Sequence, residues 1–183
     1  MKERCQWANT NDLEKEYHDS EWGIPVYDDA KLFEMLVLES MQAGLSWSTI
    51  LAKRESMRDA FDKFDYMIIK DYDDKKIEQL LNDKGIIRNK LKVNATISNA
   101  QAFITIQEEF KTFSNYIWGF TNNEVIVNHW NDISEVPASS SLSDKISKDL
   151  KKRGFKFLGT TTIYAFLQAV GIIDDHMEYC FKK

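Results

Sequence analysis

The sequence predicts an all-α domain. Apolar residues recur at three- and four-residue spacing along most of the chain. The runs are bounded by oxygen-bearing side chains at their starts and by glycines at their ends. Only one short stretch, Glu124 to His129 with Val125, Ile126 and Val127 inside it, reads as extended backbone. At 183 residues, with five Trp, seven Tyr and eleven Phe, the chain can bury a sizeable core, and two prolines with seven glycines leave little room for long linkers. No internal repeat interrupts it. One domain over residues 1–183 is the expectation.

The elements follow in order. From Asp28 to Gly44, Leu32, Phe33, Leu36 and Val37 keep helical spacing, with Met35 and Leu38 flanking; Asp28 or Asp29 can cap the start and Gly44 can take the left-handed turn that ends it. Ser46 can cap the next helix, which carries Trp47, Ile50, Leu51, Met57, Ala60 and Phe61. A third runs from about Asp74 to Lys84 with Ile77, Leu80 and Leu81 inward and Gly85 at its end. After Ile86-Ile87-Arg88 a long helix spans about Asn89 to Phe110 through Val93, Ile97, Ala100, Ile104 and Ile106. Helix follows from Thr112 to Phe120. Ser141-Leu142-Ser143-Asp144 reads as a capping box for a helix that ends at Gly154, and a last helix spans about Thr161 to Val170, stopped by Gly171.

A net charge of −5 argues against a protein that coats nucleic acid nonspecifically, but it leaves room for a local basic face. Arg88 through Lys92 and Lys148 through Lys156 are the two candidates, and each also suits an ordinary solvated helix surface. The turn at Gly85 would present backbone N–H groups at the start of the long helix, beside Lys90 and Lys92, a setting that suits a phosphate oxygen. A plain helical hairpin is the alternative. No run approaches the roughly 18 apolar residues of a membrane span, and Met1 to Cys5 contain no signal-peptide core, so a soluble cytoplasmic protein is expected.

The two cysteines sit at opposite ends of the chain, each with a histidine nearby: Cys5 with His18, and His176 with Cys180. Two thiolates and two imidazoles suit a tetrahedral zinc ion. His176 and Cys180, four apart, would share one face if that segment were helical. Such a site would clasp the two ends of the domain rather than build a compact finger. A Cys5–Cys180 disulfide, or four unrelated residues, are the other readings.

Several stretches together resemble the bacterial 3-methyladenine DNA glycosylase I family, a branch of the helix-hairpin-helix glycosylases. They are Arg4-Cys5-Gln6-Trp7, Tyr17 through Pro25, Leu32-Phe33-Glu34-Met35, and Leu38-Glu39 leading to Gln42-Ala43-Gly44-Leu45-Ser46-Trp47. Gly85-Ile86-Ile87-Arg88 and Lys151 through Thr161 continue the likeness, which runs in order from Arg4 to Cys180.

The resemblance implies release of free 3-methyladenine from double-stranded alkylated DNA by a monomeric enzyme that breaks the N-glycosidic bond and leaves an abasic site. It implies one structural zinc on Cys5, His18, His176 and Cys180, joining residues 1–25 to residues 172–183, and a helix-hairpin-helix near residues 74–110. It places Trp7, Tyr17, Trp22 and Trp47 around an extruded base, whose cationic ring would attract aromatic faces. Alone, each of these aromatics suits a core better than a pocket. Glu39, in the apolar run Leu36-Val37-Leu38-Glu39, falls in the pocket as the residue that accepts hydrogen bonds from the adenine's amino edge and complements its charge; a helix-surface glutamate is the alternative. The turn at Gln42, Gly44 and Leu45 would probe the duplex, with Gln42 or Leu45 filling the gap left by the base. Gly85, Arg88 and Lys90 would meet the DNA backbone. Two departures stand out: Arg88 lies where the wider superfamily usually has glycine, and Glu14 stands where some relatives carry a pocket aromatic. No lysine reads as a nucleophile, so a monofunctional enzyme is expected. A non-enzymatic, zinc-clasped helical module that binds nucleic acid is the competing reading, and it would need no buried Glu39.

Overall fold

The structure is a computed structural model that describes residues 2–183. The described residues contain nine α-helices: α1 (Asp12–Ser20), α2 (Asp29–Met41), α3 (Trp47–Ala60), α4 (Tyr66–Ile69), α5 (Asp74–Leu81), α6 (Lys90–Phe110), α7 (Phe113–Gly119), α8 (Ser141–Lys152) and α9 (Thr160–Ala169). Two strands of two residues each, β1 (Ile126–Val127) and β2 (Ile173–Asp174), pair in parallel. The expected extended stretch is therefore real, although its partner gave no signal in the sequence.

The architecture is organised on α2. Every residue from Leu32 to Met41 is buried, which is the environment a helix needs when its apolar residues run all round rather than along one stripe. It packs against α3, α6, α7 and α9. Asp29 in its first turn accepts hydrogen bonds from the backbone N–H groups of Phe113 and Ser114, both at 2.8 Å, and from Gln107 Nε2 at 2.7 Å. The start of α7 is thus satisfied by a carboxylate from the first turn of α2.

Helix boundaries follow the cap residues. Asp28 accepts from the Lys31 N–H, Ser46 from Thr49, Asn89 from Lys92 and Thr112 from Asn115. The α8 capping box is displaced by one residue from expectation. Ser140 is the cap and Ser143 closes the box, because the Ser140 hydroxyl reaches the Ser143 N–H while the Ser143 hydroxyl accepts from the Ser140 N–H. Residues 175–183 are turns rather than helix, so His176 and Cys180 do not share a helical face. Helix α1 and the short 3-10 turn at Gln6–Asn9 were not anticipated.

Two lysines expected together on the surface separate. Lys92 is 5% exposed, and its Nζ donates to the carbonyls of Met41 and Ala43, each at 2.7 Å. Its ammonium therefore closes the C-terminus of α2, where carbonyls lack helical partners and the helix dipole favours a cation. It is unavailable to a phosphate. Lys90 stays exposed.

Candidate active site

A cavity of about 470 Å³ opens between α1, α2, α9 and the segment 133–138. Its walls include Trp7, Tyr17, Trp22 and Trp47, so all four aromatics assigned to a pocket line one cavity. Tyr17 lies 5.4 Å from Trp47 and 6.3 Å from Trp7 between ring centroids, and Trp7 meets Trp22 edge-on at 5.1 Å. The arrangement follows from local structure. The 3-10 turn presents Trp7, α1 presents Tyr17, and Trp47 opens α3 directly after its Ser46 cap.

Glu39 lies on the same wall. It projects from the buried α2, is 4% exposed, and its Oε2 has no hydrogen-bond partner in the protein. Burial alone pushes its carboxyl up to about 8, so the free pocket holds it protonated at neutral pH. The surface-glutamate alternative is excluded.

Three further buried polar atoms on this wall are unpartnered: Glu14 Oε2, Tyr17 Oη and Trp47 Nε1. Burial, then the neighbouring Glu39, holds the Tyr17 phenol well above its ordinary range, so its hydroxyl is a donor. Buried polar groups are nearly always satisfied within the protein. Four orphans facing one aromatic cavity mark a place where a ligand supplies the missing partners.

The far wall is better satisfied. Asp175, 2% exposed, accepts from Asn128 Nδ2 and Trp130 Nε1 at 2.8 Å, from Gln168 Nε2 at 2.8 Å and from the Tyr164 hydroxyl at 2.5 Å. Tyr164, Gln168 and Asp175 all line the cavity. None was anticipated. Glu14 was noticed only as a departure, although its place one helical turn before Tyr17 on α1 puts both on one face.

Behind the aromatic wall the chain ends meet. Cys5, His18 and Cys180 are buried, and their ligand atoms lie within 4.8 Å of one another. Cys180 Sγ is 3.4 Å from His18 Nε2. Both thiols are free, which excludes the disulfide reading. His176 lies outside that set, its ring edge-on to His18 at 5.3 Å between centroids. Its Nδ1 meets Asp174 at 2.8 Å and its Nε2 is buried without a partner. His18 repeats the pattern, with Nδ1 on Asp19 at 2.9 Å and Nε2 turned to the sulfurs. A carboxylate behind each imidazole fixes the tautomer that leaves Nε2 free for a cation. Backbone N–H groups of Met177 and Lys182 point at the two sulfurs at 3.4 and 3.5 Å. Burial pushes the Cys5 thiol up to about 12, with Cys180 beside it, and a bound cation reverses that preference. The residues fit a metal ion. Gly23 makes room: its φ is +78°, and a Cβ there would fall 2.5 Å from His176 Cε1.

The profile of the methyladenine glycosylases matches residues 7–183, nearly the whole chain. The chain belongs to the methyladenine glycosylase family. It is 46% identical over 178 residues to DNA-3-methyladenine glycosylase 1 of Escherichia coli (strain K12), covering 97% of this chain and 95% of that protein. To the DNA-3-methyladenine glycosylase of Haemophilus influenzae it is 44% identical over 180 residues, covering 98% and 97%. A crystal structure of 3-methyladenine DNA glycosylase I superposes with a TM-score of 0.95 at 43% identity, covering 98% of both chains. The Staphylococcus aureus 3-methyladenine DNA glycosylase I, in a structure concerned with 3-methyladenine recognition, gives 0.95 at 34% identity over 98% of this chain and 96% of that one.

Within this methyladenine glycosylase fold, the residues expected to meet DNA divide into two groups. Gln42 lines the cavity mouth, while Gly44 and Leu45 are exposed in the turn between α2 and α3, with Gly44 at φ +78°. Arg88 and Lys90 are exposed between α5 and α6. Gly85 offers less than expected: its N–H donates to Asp83 Oδ1 at 2.7 Å and its carbonyl accepts from the Ser56 hydroxyl at 2.5 Å. The Asn89 side chain also occupies the Lys92 N–H at the start of α6. The N–H groups of Gly85 and Lys92 and the Lys92 ammonium are thus engaged within the protein, while Arg88 and Lys90 remain exposed at the start of α6.

Proposed function

We propose that the protein hydrolyses the N-glycosidic bond of 3-methyladenine in double-stranded DNA, releasing the free base and leaving an abasic site. One observation carries the reading: Glu39, Tyr17, Glu14 and Trp47 turn unpartnered polar atoms into one aromatic-walled cavity beside an exposed turn. A duplex base cannot be reached in the stack, so it must be extruded into such a cavity. N3-alkylation makes the base cationic in the nucleoside. The rings of Trp7, Tyr17, Trp22 and Trp47 attract that charge.

A cation entering beside Glu39 draws off its proton, and the resulting carboxylate accepts from the exocyclic amino group. The Tyr17 hydroxyl donates to a ring nitrogen. The C1′–N bond then breaks with its electron pair passing to the base, which leaves neutral and needs no acid. Water adds to C1′ and loses a proton. The protein's part is extrusion, selective binding and stabilisation of the electron-poor sugar. No lysine nucleophile is required, so the activity is monofunctional.

Cys5, His18, His176 and Cys180 are the residues that would hold a zinc ion, whose role is to neutralise two thiolates and join the chain ends. Four protein ligands leave no open position for water, so the role is structural. The whole chain acts as one monomeric domain.

For DNA contact, Gln42, Gly44 and Leu45 are the duplex-probing turn. The α5–α6 hairpin, with Gly85, Arg88 and Lys90, meets the DNA backbone, and α8–α9 offers a second hairpin for phosphate. Gly159 caps α9 without a side-chain hydrogen bond, Gly154 turns at φ +95°, and Lys151, Lys152 and Lys156 are exposed around it. Incubation with methylated duplex DNA should release 3-methyladenine, leave an intact backbone and give no covalent adduct with borohydride. Binding of DNA without base release would establish the non-enzymatic alternative.

A further inference from the structure

We propose that Glu14 is a second base-recognition carboxylate, which binds a hydrogen-bond donor of the cationic purine and strengthens the pocket's preference for charged over neutral bases. The inference rests on the base-binding reading of the cavity and deepens it.

Glu14 occupies the third position of α1, after the Asn11 cap. A glutamate there commonly folds back to the cap's own backbone N–H and lies in solvent. This one turns inward. It is 7% exposed and lines the cavity. Its Oε1 accepts from the Ser48 hydroxyl at 2.7 Å, and Ser48 in turn accepts from Asn11 Nδ2 at 2.8 Å. The relay spans α1 and α3 and fixes the carboxyl plane. Its Oε2 has no partner. A buried acceptor that is held by one oxygen and left open at the other is costly unless a ligand completes it.

Its neighbours define what the ligand must bring. Tyr17, one turn further along α1, offers a hydroxyl, and Trp47, immediately before Ser48, offers an indole N–H. Glu39 lines the same cavity. Two carboxyls in one aromatic cavity suit a ligand that carries positive charge and more than one N–H donor. A neutral adenine brings the same amino donors without the positive charge that two carboxyls complement. An alkylated purine cation meets both requirements.

The test compares Glu14→Gln with the unaltered protein. Glutamine keeps an oxygen that can accept from Ser48, so a purely structural Glu14 predicts unchanged melting and unchanged binding. Calorimetric titrations would use 3,9-dimethyladeninium, a permanent cation, and 9-methyladenine, its neutral counterpart. Glu14→Gln should weaken the cation by about tenfold to a hundredfold, the range for a hydrogen bond to a charged group, and change the neutral ligand less than threefold. Ser48→Ala should weaken the cation by a few-fold without entering the cavity. Equal loss for both ligands, or no loss for the cation, overturns the role of Glu14. Failure of the unaltered protein to bind either ligand overturns the base-binding reading instead.

Discussion

Replacing Glu39 by glutamine should stabilise the free protein while it weakens base binding, and the two effects should part with pH. The Glu39 carboxyl is raised from 4.5 to about 8 by burial. Below pH 4.5 it is protonated in the folded and unfolded chains alike and costs nothing. Between 4.5 and 8 the unfolded chain sheds the proton that the folded chain keeps, so stability falls as pH rises; above 8 the whole cost is in force. At about 1.4 kcal/mol per tenfold change in proton affinity, the limit is about 5 kcal/mol. Relaxation and water entry reduce it, and about 2–3 kcal/mol at pH 8 is the working expectation. For a chain of this size that is a rise in Tm of about 4–12 °C. Melts of both proteins from pH 5 to pH 9 should therefore coincide at the acid end and diverge steadily towards the alkaline end. Titration of free 3-methyladenine should meanwhile show affinity about tenfold to a hundredfold lower in the variant, which loses a hydrogen bond to a charged group. A stability difference that does not change with pH, together with unchanged base affinity, would refute both the burial argument and the pocket assignment.

Three other perturbations probe separate parts of the argument. Lys92→Met strands the Met41 and Ala43 carbonyls; it should cost about 2–4 kcal/mol and impair base excision from DNA more than binding of the free base, because the 42–45 turn loses its anchor. Cys180→Ser should lower metal content from about one zinc per chain, measured by elemental analysis. It should also cost up to about 5 kcal/mol of stability, the scale of a cross-link that closes a very long loop; a metal-free preparation that is fully stable and active would sink the clasp. Trp47→Ala should lower base affinity by about 1–3 kcal/mol, the value of one stacking face. Its melting should change little, since the ring is half-buried and lines the cavity; unfolding of this variant would mark Trp47 as core.

The helices were legible because their signals are local. Ser46, Asn89 and Thr112 cap the helices that follow them, and a cap acts through backbone atoms three residues away. The α8 cap falls one position earlier than the sequence suggests because three consecutive serines can each supply the hydroxyl, and the reciprocal bonds between Ser140 and Ser143 select the second of them. Lys92 reads as a surface charge for the same reason that it matters: its partners, Met41 and Ala43, lie some fifty positions earlier and accept only through backbone oxygens, which leave no trace in side-chain chemistry. Of the candidate site, the family motifs carried Trp7, Tyr17, Trp22, Glu39 and Trp47. Asp175 gives no such signal because β2 brings it to the cavity through a parallel pairing that two residues of sequence cannot announce, and Gln168, on α9, reads as an ordinary helix residue until its contact with Asp175 is seen.

The cysteine–histidine cluster and the cavity share a wall, so a metal bound there would do more than join two ends. Trp22 lines the cavity, stacks near-parallel on His18 at 6.0 Å and meets His176 edge-on at 4.7 Å. Trp7 lines it too and meets His18 edge-on at 5.5 Å. Rings packed on the imidazoles keep their orientation only while the imidazoles keep theirs, and the imidazoles are held from behind by Asp19 and Asp174. The opposite wall is rigid for a different reason, the four donors converging on Asp175. Between them stands α2, buried from Leu32 to Met41, with Glu39 near its end and Lys92 holding the carbonyls of Met41 and Ala43. A pocket built to discriminate charge needs its acceptor fixed and its aromatic faces preorganised, because any freedom to relax would let a neutral base fit as well. The sequence spends its two cysteines, two of its three histidines and its central helix on that requirement.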